Sequence, residues 1–309
     1  MNRNDRIRAD FLENQLIEFS NTIRQLKGIK TDDYMESLLS QIIESERRIN
    51  FVRILSTTPI SPSRINPKSE MFDPIKAAAL MTREGIINEA CWLTFLSIHY
   101  GKHLKYKWNL VKYTYDIPGS NDVWSWDNVT KNKHAFIQWL SDNYSEFAQN
   151  GAFGNHRKYE SLNPSRNNWN GAIILSYINW VESFGDHVGL ISHYENTYPD
   201  RKQRFRVLYK SMNNVLRFGR TAKFDFLTML EKLNIMDIEA DSTYMSEATG
   251  PRRGANLLFG GSTSNIYSTT LLENWVSELD SYLNVGMQVM EDSLCNWQKS
   301  PERFIRFRG

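Results

Sequence analysis

The sequence predicts a mostly α protein with a short Gly-rich hairpin between helices near its C-terminal end. Three observations predict this. Apolar residues recur at helical spacing through most of the chain. Strand-like alternation is confined to His103–Ile117, which reads as a single ribbon. Finally, the segment ATGPRRGANLLFGG (248–261) reads as a Gly-Pro-basic-basic-Gly hairpin opening a short apolar helix. A hydrophobic content of 41% and an aromatic content of 13% are those of a folded chain, and 309 residues can bury a sizeable core.

From Asn4 to Leu55 the chain reads as two amphipathic helices, an N-terminal helical hairpin assigned to 1–58. Ile7, Phe11, Leu16, Ile17, Phe19 and Ile23 mark the first helix; Tyr34, Leu38, Leu39, Ile42 and Ile43 mark the second. Pro59, Pro62, Pro67 and Pro74, set among serines, define a linker over 59–74. Asp73-Pro74 then starts a helix, because Asp can accept from the unpaired first-turn amides and Pro has no amide to leave unpaired.

The main body, 75–309, follows. Arg83–His103 reads as one long, buried helix. A Trp-rich stretch comes next, with Asn121 or Asp122 as its cap. GNHRKYE (154–160) reads as a basic turn, NWNGAIILSYINWV as a second buried helix, and FGRTAKFDFLTMLEKL (218–233) as a third.

Net charge is +2, which argues against a broad polycationic nucleic-acid binder but allows a local basic groove; Arg252-Arg253 and the tail RFIRFRG are locally basic. No apolar run has the length of a bilayer span, and the N-terminus lacks the apolar core of a signal peptide, so a cytoplasmic address is expected. Cys91 and Cys295 lie in apolar helical text, which leaves no disulfide framework or zinc site. His99 and His103 have metal-ligand spacing, but Gly101 intervenes and no acidic third ligand is evident; neither a metal nor a cofactor is expected. No Walker loop, nucleophile elbow or dinucleotide fingerprint occurs.

Four groups of residues carry candidate chemistry. In the Gly-Pro segment, Gly250 and Gly254 let backbone approach a phosphate, with Arg252, Arg253 and the helix start to hold it; the plain alternative is a turn with solvated arginines. Asp225, between Phe224 and Phe226, is a partly desolvated carboxylate with Arg220 and Lys223 near in sequence; the alternative is an ordinary ion pair. Glu291, Cys295 and Lys299 share a helical stripe, with Asp292 on the adjoining face. Asn155, His156, Arg157, Lys158 and Tyr159 cluster on a turn able to meet a phosphate or stack on a base.

At these residues the chain resembles the third clade of the α-glutamyl/putrescinyl thymine pyrophosphorylase family. The segments that carry the likeness are REGIINEACWLTFLSIHYGKH, FGNHRKYESL, GRTAKFDFLTML, TGPRRGANLLF and MQVMEDSLCNWQKSP, within Arg83–Gly309. That family is similar to helix-hairpin-helix DNA glycosylases, so the resemblance implies a glycosylase-like helical domain acting on bulky modified pyrimidines in phage DNA. Related glycosylases place a catalytic Asp soon after the hairpin. Here Glu291-Asp292 is the nearest analogue and falls later, so Asp225, Glu291 and Asp292 all stand as candidates.

The expected reaction is excision of a base such as glucosylated 5-hydroxymethylcytosine, in defence against phage, by a monofunctional glycosylase. Trp124, Trp126 and Tyr159 are candidates for lining the base pocket. Attack by Lys299 in place of water would add strand nicking. Transfer onto a hydroxymethyl pyrimidine with loss of pyrophosphate is the alternative enzyme; a non-catalytic sensor of modified DNA is the alternative outside catalysis. DNA is the expected partner, with the N-terminal helices available for a second copy or another protein.

Overall fold

The computed structural model of the chain describes residues 2–306; the tail residues Phe307, Arg308 and Gly309 lie outside the described residues. Fifteen α-helices and no strand occur among the described residues, as the helical periodicity predicts. Contacts gather the chain into two compact units that are not consecutive in sequence. Residues 2–51 join 240–306 in the first unit, and Val52–Glu239 form the second. The proline-based boundaries at 58 and 74 follow composition; these follow packing.

Helix α1, Arg3–Thr22, opens on a capping box, with Asn2 and Asp5 each accepting the other's amide at 3.0 Å. Its buried stripe is Ala9, Leu12, Leu16 and Phe19, whereas Ile7, Phe11, Ile17 and Ile23 are exposed. The helix thus carries apolar residues on two faces, and packing uses only one. Helix α2, Asp32–Arg53, buries Leu38, Leu39, Ile42 and Ile43. Ion pairs Arg8–Glu46 and Arg47–Asp5 tie the start of α1 to the latter half of α2, so the expected helical hairpin is present.

In the second unit, α3 (Pro74–Arg83) starts as its sequence requires: Asp73 Oδ1 accepts from the amides of Ile75 and Lys76, both at 3.2 Å. The single helix expected over 83–103 is broken. Gly85 turns at φ +75°, a conformation that side chains disfavour, and α4 runs from Ile87 to Tyr100. Residues Glu89–Ser97 of α4 are all buried, and Phe95 stacks on Tyr177 with centroids 3.6 Å apart.

The expected ribbon is also corrected. Residues 103–107 form a turn closed by an isolated bridge, and α5 occupies Asn109–Tyr115. Leu110, Val111, Thr114 and Tyr115 are its buried positions, a helical spacing that alternating lysines and tyrosines concealed. Helix α6 (Trp126–Lys131) is capped by Ser125, not by Asn121 or Asp122. There follow α7 (Lys133–Asp142), α8 (Tyr144–Asn150), α9 (Asn170–Glu182), α10 (His187–Thr197), α11 (Arg201–Ser211) and α12 (Arg220–Lys232). Helix α12 lies against α4.

The first unit resumes with α13 (Thr249–Gly260), α14 (Thr269–Leu283) and α15 (Met287–Trp297). Helix α14 packs on α1, where the Phe19 and Tyr282 rings meet edge to face. Helix α13 packs on α15, and the amide of Gly28 donates to the carbonyl of Leu258 in α13 at 2.8 Å.

Candidate functional site

Helix α12 fixes Asp225 through its neighbours. Phe224 and Phe226 are buried; Phe226 meets Tyr177 edge-on and Phe224 meets Phe205. Successive helical residues point about 100° apart, so two anchored rings leave the half-buried Asp225 little rotational freedom.

The turn at 154–160 is clamped to the end of α4. The amide of Gly154 donates to the carbonyl of Tyr100 at 2.7 Å, and a side chain on Gly154 would come within 2.9 Å of the Gly101 backbone. Asn155, His156, Lys158 and Tyr159 point outward, with Lys158 Nζ 5.4 Å from the Tyr159 ring centroid. Arg157 alone of this group turns inward and is 7% exposed. Its Nε donates to the His99 carbonyl at 3.0 Å, and its Nη2 lies 3.4 Å from His99 Nδ1. The guanidinium also sits over the Phe218 ring. Glu160 lies 3.8 Å from it and binds Arg217 Nε at 2.8 Å.

Burial lowers the basicity of Arg157. Glu160 opposes that fall, Arg217 adds to it, and Asp225 opposes it. Asp225 and Arg157, 68 positions apart in sequence, therefore share one electrostatic environment. Burial, then Arg157, pushes the His99 imidazolium well below its usual range, so His99 is neutral and can accept from the guanidinium. Beside this cluster, Asn213, Val215, Arg217, Phe218, Gly219 and Lys223 line an open cavity of about 420 Å3. Lys223 is 4% exposed, and its Nζ donates to Asn213 Oδ1 at 2.7 Å. The buried Arg220 guanidinium lies over the Phe224 ring.

The Gly-Pro-basic segment differs from the hairpin read in the sequence. Gly250 through Gly254 lie inside α13, in its first turns, where Pro251 has no intrahelical amide bond to lose. The glycines serve helix packing. A side-chain carbon on Gly250 would lie 2.4 Å from Cys295 Sγ, and one on Gly254 would lie 2.2 Å from the Leu294 carbonyl oxygen. Arg252 Nε donates to Asn265 Oδ1 at 3.0 Å, and Arg253 is exposed.

On α15, Glu291 is half-buried. Asp292 pairs with Arg48 and accepts from Asn296 Nδ2 at 2.9 Å. The stripe from Glu291 stops short of Lys299, because the helix ends at Trp297; Lys299 Nζ donates to Asn296 Oδ1 at 3.0 Å. Trp126 is a core residue, 4% exposed and packed on Trp92 and His187; the half-buried Trp124 packs on Phe136. Tyr159 is 69% exposed.

Glu160, Arg217 and Asn213 escaped sequence reasoning. Their partners are remote or occupy ordinary loop text, so no local spacing marks them. His99, considered as a ligand, supports Arg157 instead, while His103 Nδ1 accepts from the amides of Lys105 and Tyr106. Among the described residues no group of three or more His, Cys, Asp or Glu side chains could hold a metal ion. None of the described helices is long and apolar enough to cross a membrane.

The fold and these clusters define a mostly helical protein with a carboxylate and buried arginine in its second unit. The family model described as alpha-glutamyl/putrescinyl thymine pyrophosphorylase clade 3 matches residues 33–309, and the chain belongs to that family. The match leaves out α1 and the turn after it. The family is a modified-thymine pyrophosphorylase clade linked to base modification in phage DNA, which places the chain with enzymes acting on modified DNA bases. No curated protein and no solved structure matches the chain.

Proposed function

We propose that this protein is a cytoplasmic DNA glycosylase of phage defence, excising a bulky modified pyrimidine and leaving an abasic site. Glucosylated 5-hydroxymethylcytosine is the base to test first. The observation that carries the reading is Asp225, a half-buried carboxylate between two buried rings, in the field of the buried Arg157. A carboxylate held in this position is suited to stabilising positive charge that develops on a sugar.

In the reaction, the bond from C1′ to the base nitrogen breaks and its electron pair leaves with the base. Asp225 stabilises the oxocarbenium-like sugar and takes a proton from water, whose oxygen bonds to C1′. The departing base takes up a proton from solvent and Asp225 gives its own back to solvent, so one water is consumed as hydroxyl on C1′ and hydrogen on the base. Extruding the nucleotide costs a few kcal/mol, recovered by stacking and by contacts to the bulky substituent. The outward-facing Asn155, His156, Lys158 and Tyr159 are suited to phosphate and base contacts, as is the exposed Arg253. Asp292, already paired with Arg48 and bonded to Asn296, suits a structural role better than a catalytic one.

The family supports a second reading, displacement of pyrophosphate from a hydroxymethyl pyrimidine by an amine or amino acid. One experiment separates the two. The protein is incubated with glucosylated phage DNA, with unmodified DNA, and with DNA bearing a pyrophosphorylated hydroxymethyl pyrimidine plus amines. Mass spectrometry then identifies the small molecules released. Free modified base with alkali-labile sites supports the glycosylase; pyrophosphate with amine incorporation supports transfer and ends the glycosylase reading. Release of neither, with modified DNA still bound, leaves a sensor.

A further inference from the structure

Two turns of the second unit meet through glycine. Gly101 holds φ +68°, and a side-chain carbon on Gly154 would come within 2.9 Å of the Gly101 backbone and 3.1 Å of the Lys102 amide nitrogen. Only residues without a side chain allow so close an approach. The first turn, 101–108, is also fixed internally. His103 and Lys107 exchange backbone hydrogen bonds at 3.0 and 2.8 Å, and His103 Nδ1 accepts from the amides of Lys105 and Tyr106, both at 3.2 Å. Asn109 Nδ2 then donates to the Asn150 carbonyl at 2.8 Å and ties off its end. The second turn, 154–160, is held by the buried Arg157, and Asn168 donates to the Tyr159 carbonyl. Both tips are therefore presented on firm supports.

Leu104 is 70% exposed and Tyr159 69%, the two most exposed large apolar side chains among the described residues. Single exposed apolar residues are ordinary, but these two stand on abutting turns and among cations. From Gly101 to Tyr115 the chain carries Lys102, Lys105, Lys107 and Lys112 and no Asp or Glu. Lys102, Lys105, Lys107 and Lys158 are exposed, and among the described residues none of the four pairs with a carboxylate. Lys102 lies 5.6 Å from the Trp108 ring centroid and Lys105 4.8 Å from that of Tyr106, contacts that leave the ammonium charge unneutralised. Glu160, the acid of the second turn, is occupied by Arg157 and Arg217. Unpaired lysines suit backbone phosphates, and apolar tips among them suit base faces laid open where stacking is broken.

We propose that the two turns form one DNA surface that favours an unstacked base step, with the lysines on backbone phosphates and Leu104 and Tyr159 against the opened bases. The proposal rests on the functional reading above only for the identity of its partner as DNA. It needs neither a modified base nor base release.

The test uses the full chain and unmodified DNA. Anisotropy follows binding to a fluorescein-labelled, fully paired duplex and to the same duplex with one central mismatch, which lowers the cost of unstacking. The native chain should bind the mismatched duplex about tenfold more tightly. Leu104→Ser and Tyr159→Ser in one chain should abolish that preference and leave the salt slope unchanged. Lys102→Gln and Lys105→Gln should instead weaken both duplexes alike, each lowering the salt slope by about one. All four positions are exposed, so the variants should fold, and melting curves verify this.

A native chain that binds the two duplexes equally would overturn the proposal, whatever the lysine variants do. Folded variants that keep the native preference and salt slope would overturn it too. So would binding to phosphatidylserine vesicles, lost in these variants, by a chain that binds neither duplex; the turns would then be a membrane surface. Mismatch preference without release of any modified base leaves this surface standing while the glycosylase reading fails. Base release with no mismatch preference does the opposite.

Discussion

At the scale of single residues, Asp225 has the most exposed consequence. Asp225→Asn keeps the shape between Phe224 and Phe226 but removes the charge that would meet a developing sugar cation. Base release in single turnover should fall by about 10²–10³, a range typical of losing a preorganised electrostatic stabiliser, with duplex affinity changed less than threefold. An equal fall in affinity and rate would instead make Asp225 a folding or binding residue. Glu89 supplies a second prediction. Its carboxylate accepts from Tyr115 Oη and the Trp126 amide, both at 2.7 Å, tying α4 to α5 and α6. Burial raises its pKa to about 6, against the two hydrogen bonds that lower it. The folded state therefore holds this proton more tightly than the unfolded chain. The resulting stability, about 2 kcal/mol, is fully present below pH 4.5 and lost as pH rises through about 6. His187 acts oppositely: burial lowers it to about 3, so its contribution is present above 6.5 and lost as pH falls. Denaturant titrations of the native chain and Glu89→Gln across pH 4–7 isolate the Glu89 part as their difference. A difference independent of pH would refute it.

At the scale of elements, the α13–α15 contact decides how the Gly-Pro segment is understood. Close approach of two helices needs small residues at the crossing, and added atoms in a packed contact cost about 1–3 kcal/mol. Gly254→Ala should therefore lower the urea midpoint, since its new carbon meets backbone at Leu294, which cannot swing aside. Gly250→Ala meets the Cys295 thiol instead, so Cys295→Ala in the same chain should recover much of the loss. Unchanged stability with lost duplex binding in Gly254→Ala would restore the phosphate reading of these glycines. The turn at 154–160 shows how an element can divide its side chains. Four face solvent, while Arg157 enters the cluster of His99, Phe218 and Glu160.

At the scale of the whole molecule, the first unit is assembled from both ends of the chain. Residues 2–31 precede the family match at 33, yet they supply Leu12, Leu16 and Phe19, each fully buried, to that unit. Deleting them should lower the melting transition of the first unit and leave that of the second in place. Calorimetry resolves the two, and an unaltered first transition would show that α1 is dispensable to that core. Removing the C-terminal helices should strike the same unit, although they lie at the far end of the sequence.

The sequence by itself determined the helical class, the N-terminal helical hairpin, the start of α3 at Asp73-Pro74 and the family. These rest on apolar spacing and capping, interactions reaching about four residues along the chain, or on long ordered segments of text. Tertiary structure decided the rest. It broke the helix expected over 83–103 at Gly85, replaced the ribbon with α5, and drew Gly250 and Gly254 into a helix crossing. It also brought distant side chains together: Arg217 and Glu160 pair across 57 positions, and Arg157 reaches the field of Asp225 across 68. Side chains so far apart meet only once the helices between them have packed, and no local pattern records which partners burial will bring together.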